Sequence, residues 1–429
     1  MLTAELLHTY REILEEELRP AMGCTEPIAI AYASAIMRHV LGDVPRAITV
    51  GLSGNIIKNV KSVIVPATGG MHGIEAAIAA GVIANAPRRK LEVLCALGDA
   101  DIPQVRAFVE NTPIHIRELD SPYPFEIDLY ALAGEHTAHV HVANRHTQVI
   151  CVERDGQDLT DLYRRNDCAE APSDIDRHVL NVEDIVAFAE AVPIAEVKDL
   201  LDRQITMNLA IAEEGLKNDY GACIGKLLFR EGNCSLRDRA RAYAAAGSDA
   251  RMSGCEMPVC ILSGSGNQGM TASLPVIVYA RELGVSEDTM YRALLVSNLI
   301  TIHQKTGIGC LSAYCGAISA GCGAGTGICY LYGGRYEEIA HTLVNSIAIL
   351  SGTICDGAKP SCAAKIAMAV ESGILGYEMA RAGHEFVGGD GIVTKGVENT
   401  VRNVARLARD GMNTTDREII RIMLGDTAE

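Results

Sequence analysis

The spacing of hydrophobic positions changes twice along the chain. Residues 3–18 repeat Leu, Ile and Glu at helical spacing, and a second helix is predicted from Thr25 to about His39. From about residue 46 the apolar positions fall in short runs bounded by Gly, Pro, Asp and Asn, which is typical of β-strands. Beyond residue 181 nearly every segment returns to helical spacing.

The middle of the chain is predicted to contain most of the β-structure. We expect strands in AITVGLSG, KSVIVP, LEVLCALG, IHIRELD, FEIDLYALAG, HTAHVHVANR and TQVICVERDG. A helix from about residue 74 to 84 interrupts them, and the last two strands form a hairpin that turns near Asn144 and Arg145. Its histidines 136, 139, 141 and 146 suggest a metal site, although a solvated hairpin face has the same composition, and we favour the solvated face.

These patterns predict an α+β fold, in which a large all-helical domain carries an inserted α+β domain with a mixed sheet. The helical domain is discontinuous and comprises residues 1–45 and 181–429. The inserted domain spans residues 46–155, and the polar segment 156–180 connects the two.

Composition and charge exclude several classes of function. The 429 residues are 48% hydrophobic, which is ample for a packed core and excludes wholesale disorder. The net charge of −16 and the lack of Lys/Arg clusters argue against a nucleic-acid partner. We find neither an uninterrupted apolar run of membrane-spanning length nor a signal peptide, so we expect no membrane association and a cytoplasmic location.

The 14 cysteines need an explanation, because disulfides are rare in a reducing compartment. Eight of them lie between residues 255 and 362, where glycine is also concentrated. Cys355 and Cys362 flank a loop that Asp-Gly and Lys-Pro keep non-helical, so both thiols can converge on one metal. Inert packing remains an alternative, whereas structural zinc is disfavoured because the chain has no CxxC pair.

A glycine-rich segment at residues 263–269, SGSGNQG, precedes a predicted helix. Such a loop presents free backbone N–H groups to an anion, and a small carboxylate suits it better than a nucleotide. A simple tight turn is the alternative. Cys24 stands apart from the other cysteines, on a turn that opens a helix, where its thiolate would be favoured.

Four blocks together resemble the L-cysteine desulfidase family, which is similar to the alpha chain of iron–sulfur-dependent L-serine dehydratases. They are MGCTEP at 22–27, SGN at 53–55 with KN at 58–59, SGSGNQG at 263–269, and Cys355 with Cys362. The resemblance implies a lyase whose helical domain is catalytic and carries a 4Fe–4S cluster, without pyridoxal phosphate. Its reaction would be α,β-elimination on L-cysteine, giving hydrogen sulfide, ammonia and pyruvate.

The resemblance also implies roles for individual residues. By position, Cys315, Cys355 and Cys362 hold the cluster and leave one iron open as a Lewis acid. Cys24 is the catalytic base, and Lys305 matches a lysine of related dehydratases. The substrate-binding residues would be Ser263, Ser265, Asn267, Gln268 and Asn55.

Three alternatives remain open. The first is L-serine or another β-substituted amino acid as the substrate of the same mechanism. The second, from another class, is a non-enzymatic iron–sulfur or zinc-binding redox sensor. The third is a pyridoxal-dependent lyase, which is disfavoured because neither Lys226 nor Lys305 lies in the expected sequence context. The only partner we expect is a small amino-acid substrate, and a helical surface of small residues is compatible with a homodimer.

Overall fold

The computed structural model describes residues 2–22, 25–121, 123, 125–164, 175–229, 234–309 and 312–424. The helices are α1 (Ala4–Glu17), α2 (Thr25–Leu41), α3 (Gly54–Val60), α4 (Gly73–Ala84), α5 (Ile102–Asn111), α6 (Thr160–Arg164), α7 (Val182–Ala191), α8 (Lys198–Lys217), α9 (Ile224–Leu228), α10 (Leu236–Met252), α11 (Gly266–Leu283), α12 (Glu287–Ile308), α13 (Gly316–Leu331), α14 (Tyr336–Leu350), α15 (Cys362–Arg381), α16 (Val397–Arg406) and α17 (Asn413–Leu424). The strands are β1 (Pro20–Met22), β2 (Ala47–Ser53), β3 (Ile114–Leu119), β4 (Glu126–Ala133), β5 (His136–Ala143), β6 (Val149–Arg154), β7 (Gln157–Asp158) and β8 (Pro258–Cys260).

The main sheet has the strand order β3-β2-β4-β5-β6-β7. Only β2 and β3 pair in parallel, and the other neighbours are antiparallel, so the sheet is mixed as the sequence predicts. One face packs on α2, and α4 packs on the other side of α2 and belongs to the same hydrophobic core. The hairpin β5–β6 turns through Asn144, whose φ of 68° is left-handed. The fold class is therefore confirmed as α+β.

Two of the predicted strands are wrong. In KSVIVP, Ile64 makes one isolated bridge to His72, and no strand forms. LEVLCALG lies largely in the 3-10 helix Pro87–Ala96, and a further helix, α5, follows it. The reason is that a short apolar run does not distinguish a strand from a buried turn of helix. Pro87 begins the 3-10 helix and Val93 faces the core.

A second, larger core holds together α7, α8 and the helices from α10 to α16. Helix α1 packs into this core, but α2 packs into the core of the sheet, so the first 45 residues are shared between the two. Helix α2 is buried on nearly all sides, which suits a helix covered by a sheet on one side and by α4 on the other. Among the described residues, no helix combines the length and the apolar character needed to cross a bilayer.

Candidate active site at converging helix N-termini

Helices α13 and α15 touch backbone to backbone. A Cβ added at Gly321 would lie 2.2 Å from the carbonyl oxygen of Ala369, and one at Gly325 would lie 2.3 Å from that of Gly373. The contact positions advance together along both helices, so the two helices run parallel and begin side by side. The glycines therefore bring Cys315, the N-cap of α13, close to Cys362, the first residue of α15.

Helix α11 begins at the same place. The side chain of Gln268 lies against Gly316, since a Cβ there would be 2.7 Å from its Cδ, and Val276 further along α11 meets Gly327. This helix therefore also runs in the direction of α13. Three helix N-termini thus converge, and each carries a partial positive charge.

Cys355 joins the two helix-terminal cysteines through a short antiparallel bridge between Tyr314 and Ile354. The amide of Cys315 donates to Thr353 O at 3.1 Å, and the amide of Cys355 donates to Ala313 O at 2.6 Å. Cys315 and Cys355 are therefore diagonal neighbours on one side of this bridge. Such neighbours are about 7–8 Å apart between their Cα atoms. The Sγ of Cys362 completes the group by donating to Gly357 O at 3.5 Å, within the loop that Cys355 opens.

The three thiols lie close enough to affect one another's ionisation. Burial, with smaller contributions from the neighbouring Cys355 and Cys362, raises the pKa of Cys315 to about 12. Burial likewise raises the pKa of Cys362, with a contribution from Cys355. Without a metal the thiols of Cys315 and Cys362 are therefore neutral at pH 7. A bound metal would have to displace their protons.

Two lysines supply positive charge next to the thiols. Lys359 and Lys365 both pair with Asp356, inside the loop between Cys355 and Cys362. Burial by itself would raise the pKa of Asp356, but the two ammonium groups hold it below its usual range. Asp356 and the two lysines, one in the loop and one in α15, therefore carry one surplus positive charge, which favours thiolates or another anion beside them.

The glycine-rich segment is both a tight turn and the start of a helix. Ser263 and Gly264 have φ values of 48° and 75°, and the amide of Ser265 donates to Leu262 O at 3.0 Å. Ser265 is the N-cap of α11 but makes no capping hydrogen bond with its side chain. The buried Oε1 of Gln268 has no hydrogen-bond partner among the residues that the structure describes, which suits a polar ligand at this end of the helix.

Asn267 leads to residues that the sequence analysis did not single out. Its Oδ1 accepts from the guanidinium of the buried Arg251 at 3.4 Å, and its Nδ2 lies 3.6 Å from Met252 Sδ. Met252 packs in turn against Cys362. A buried arginine beside a glycine-rich helix start is a suitable carboxylate ligand. The burial of Arg251 was not recognisable from sequence, because it lies in a polar-looking helix.

Two more buried oxygens near the cysteine loop have no hydrogen-bond partner in the described part of the chain. They are Asp249 Oδ1 and Ser253 Oγ, and both lie close to Gly221, where Pro360 of the cysteine loop also packs. Burial raises the pKa of Asp249 to about 6, although the amides of Gly225 and Ile224 donate to it and oppose the shift. Orphaned polar atoms around one site are expected where a ligand or ordered water completes the structure.

Cys24 lies outside the described residues, but its neighbours are anchored at this junction. Strand β1, which precedes it, pairs with β8, the strand before the glycine-rich segment. Glu26, which follows it, accepts from Asn59 Nδ2 at 3.0 Å. Lys58, which precedes Asn59 in the chain, has its carbonyl group against Gly357. A Cβ added at Gly357 would lie only 2.1 Å from this carbonyl oxygen. A continuous series of contacts thus links the segment after Cys24 to the cysteine loop.

Lys305 and Asn55 lie at the edges of this region. The buried Lys305 is in the last turn of α12, next to Gln304, whose Nε2 donates to Ser319 O in α13 at 3.1 Å. Asn55 instead lines a neighbouring polar cleft of about 340 Å³, which also contains Ala313. The structure thus brings Cys315, Cys355 and Cys362 together with Gln268 and Asn267. It puts Asn55 in the adjoining cleft.

The fold and site define a two-part α+β protein with a thiol-lined site at three converging helix N-termini. Residues 152–421 match the family described as serine dehydratase alpha chain, and the chain belongs to this family. Its membership supports a lyase-type function.

Full-length relatives carry the name UPF0597 protein. One from Desulfitobacterium hafniense is 54% identical over 97% of this chain and 96% of its own length. A second, from Lachnoclostridium phytofermentans, is 47% identical over 96% of this chain and 98% of its own. A third, from Finegoldia magna, is 44% identical over 97% of this chain and 100% of its own.

Proposed function

We propose that the protein is a cytoplasmic carbon–sulfur lyase that eliminates hydrogen sulfide from L-cysteine, leaving pyruvate and ammonia. The observation that carries the proposal is the convergence of Cys315, Cys355 and Cys362 at the shared start of α13 and α15. L-Serine is the second candidate substrate, because the matching family is described as a serine dehydratase.

The residues present fit an iron–sulfur cluster. Three neighbouring thiols are the donor set of a cluster with one open position, and the buried Oε1 of Gln268 beside them has no hydrogen-bond partner among the described residues. Lys359 and Lys365 neutralise negative charge beside the thiols. Bound to Cys315, Cys355 and Cys362, such a cluster supplies a Lewis-acidic iron for the leaving sulfur or oxygen.

The remaining chemistry falls to the protein's own side chains. The start of α11, with Gln268, Asn267 and the nearby Arg251, would hold the substrate carboxylate and fix which hydrogen faces the base. Cys24 is proposed to remove the α-proton as a thiolate. Removing this proton and stabilising the leaving group are the two requirements of the elimination. The enamine product would then hydrolyse to pyruvate and ammonia without help from the protein.

The test is an anaerobic preparation assayed for iron, sulfide and pyruvate across L-cysteine, L-serine and D-amino acids. Cys315→Ser, Cys355→Ser and Cys362→Ser should each lose bound iron and at least about 100-fold in activity. Cys95→Ser is the matched control, since Cys95 is an exposed cysteine far along the chain from the loop. A preparation that stays free of iron and inactive after anaerobic reconstitution would refute the proposal.

Cys24→Ala separates the base from the ligands. It should keep its iron and lose about 100-fold to 10,000-fold in kcat, the usual contribution of a general base. Loss of iron in this variant would instead make Cys24 a fourth ligand and place the base elsewhere.

A further inference from the structure

The face of the main sheet opposite α2 and α4 carries an unusual group of metal-binding side chains. Residues on β4, β5 and β6 alternate between the core and this outer face. His139 is the register partner of Glu153, and His141 is the partner of Cys151. Because side chains alternate along a strand, His139, Cys151 and Glu153 project on the same side.

The three side chains are arranged around a common point. His139 Nδ1 lies 3.9 Å from Cys151 Sγ and 3.6 Å from a carboxylate oxygen of Glu153. All three ligand atoms lie within 4.8 Å of one another. A tetrahedral zinc ion would hold nitrogen and sulfur about 3.6 Å apart, and nitrogen and oxygen about 3.4 Å apart. The distances from His139 Nδ1 to Cys151 Sγ and to the Glu153 oxygen therefore need to shorten by only a few tenths of an ångström to fit a zinc ion.

The other nitrogen of the same imidazole is held in place. His139 Nε2 lies 2.7 Å from a carboxylate oxygen of Asp128, and the ring of Tyr130 stacks on it at 4.1 Å between centroids. A carboxylate behind a histidine is the usual support of a metal-binding imidazole, since it fixes the ring and raises its basicity. This support orients Nδ1 towards Cys151 and Glu153.

A shallow hollow leaves room for an ion and its water. It has a volume of about 500 Å³ and is lined by Tyr130, His139, Glu153 and Asp155, among others. Three protein ligands beside an open hollow leave a fourth position for solvent. A mixed nitrogen, sulfur and oxygen set favours a borderline cation over calcium or magnesium.

We propose that His139, Cys151 and Glu153 form a binding site for Zn²⁺, with Asp128 as the residue that positions His139. The site is on the sheet and shares no residue with the cysteine loop, so it does not depend on the proposed lyase activity. The alternative is a charged imidazole held between Asp128 and Glu153 without any metal, and the experiment distinguishes the two.

The experiment is a calorimetric titration of the full-length protein with Zn²⁺, with iron content measured before and after. Wild-type protein should bind one equivalent more than His139→Ala or Cys151→Ser. Comparing variants isolates this site even if Cys315, Cys355 and Cys362 also take up zinc. Unchanged iron content in both variants keeps the result separate from the cluster.

Asp128→Asn retains all three ligands and tests the positioning role. It should weaken zinc binding 10-fold to 100-fold, the usual effect of losing such a carboxylate. This variant also keeps the proposal falsifiable if a ligand substitution impairs folding. The matched control is His136→Ala, an exposed histidine of the same strand paired with Asp155. It should bind zinc as the wild type does.

X-ray absorption at the zinc edge supplies the ligand identity. The zinc equivalent that wild-type protein binds and Cys151→Ser does not should contribute a shell with one sulfur ligand. Equal zinc stoichiometry and affinity in wild type, His139→Ala and Asp128→Asn would overturn the proposal and leave the histidine held between two carboxylates. If His136→Ala lost as much zinc binding as His139→Ala, the proposal would be overturned as well, because the binding would then be non-specific.

Discussion

The most direct test of the site's architecture is to add one methyl group between α13 and α15, by the substitution Gly373→Ala. Gly373→Ala would place a Cβ 2.1 Å from the carbonyl oxygen of Gly321 and 3.1 Å from the amide nitrogen of Gly325. Ordinary carbon–oxygen contacts are longer by about 1 Å or more. Backbone atoms cannot turn aside as a flexible side chain can, so the helices themselves must move apart.

The expected effect follows from two opposing terms. Overpacking against a rigid neighbour costs about 3 kcal/mol, and alanine regains about 1 kcal/mol of helix propensity over glycine. We therefore expect Gly373→Ala to lower the free energy of unfolding by about 2 kcal/mol. The same displacement would move Cys362 away from Cys315, so bound iron should also fall.

The assay is urea unfolding in parallel with iron analysis. Gly352→Ala serves as the control, since a Cβ there would meet nothing within 4 Å. Its stability should stay within about 0.5 kcal/mol of wild type. A Gly373→Ala protein as stable as this control would refute the backbone contact between the two helices.

Two further predictions concern buried charges. Burial raises the pKa of Asp249 to about 6, above its value in the unfolded chain, so its ionisation opposes folding. Stability should fall by up to about 3 kcal/mol as the pH rises from about 4 to about 6, and Asp249→Asn should flatten this part of the urea stability profile. If Asp249→Asn left the pH dependence of stability between about pH 4 and pH 6 unchanged, the burial of the Asp249 carboxyl group would be contradicted. Asp416→Asn leaves the buried Lys58 ammonium unpaired and should cost about 3 kcal/mol in urea unfolding. Asp410→Asn, in an exposed pair with Arg409, should leave the urea midpoint nearly unchanged, and equal losses in the two variants would show that burial is not the cause.

Much of the secondary structure was predictable because periodicity reports which side of an element is buried. The hairpin β5–β6, the tight turn at Ser263 and Gly264, and the helical spacing after residue 181 all follow from local patterns. The two wrong strands and the missed α5 lie where short apolar runs fit more than one conformation. Periodicity also does not show which element covers the apolar face of a helix. For this reason the sequence pattern assigns α2 to the helical domain, although α2 packs in the core of the sheet.

The amino-acid sequence alone shows where chemistry is to be expected: an excess of thiols, a glycine-rich helix start and a hairpin with several histidines. Which of these residues meet depends on the tertiary structure. Glycines let α13 and α15 approach at backbone distance, and this sets Cys315 beside Cys362. Strand register likewise puts Cys151 next to His139. Such contacts join residues far apart in the chain, and close packing specifies them in space without leaving a local pattern in the sequence.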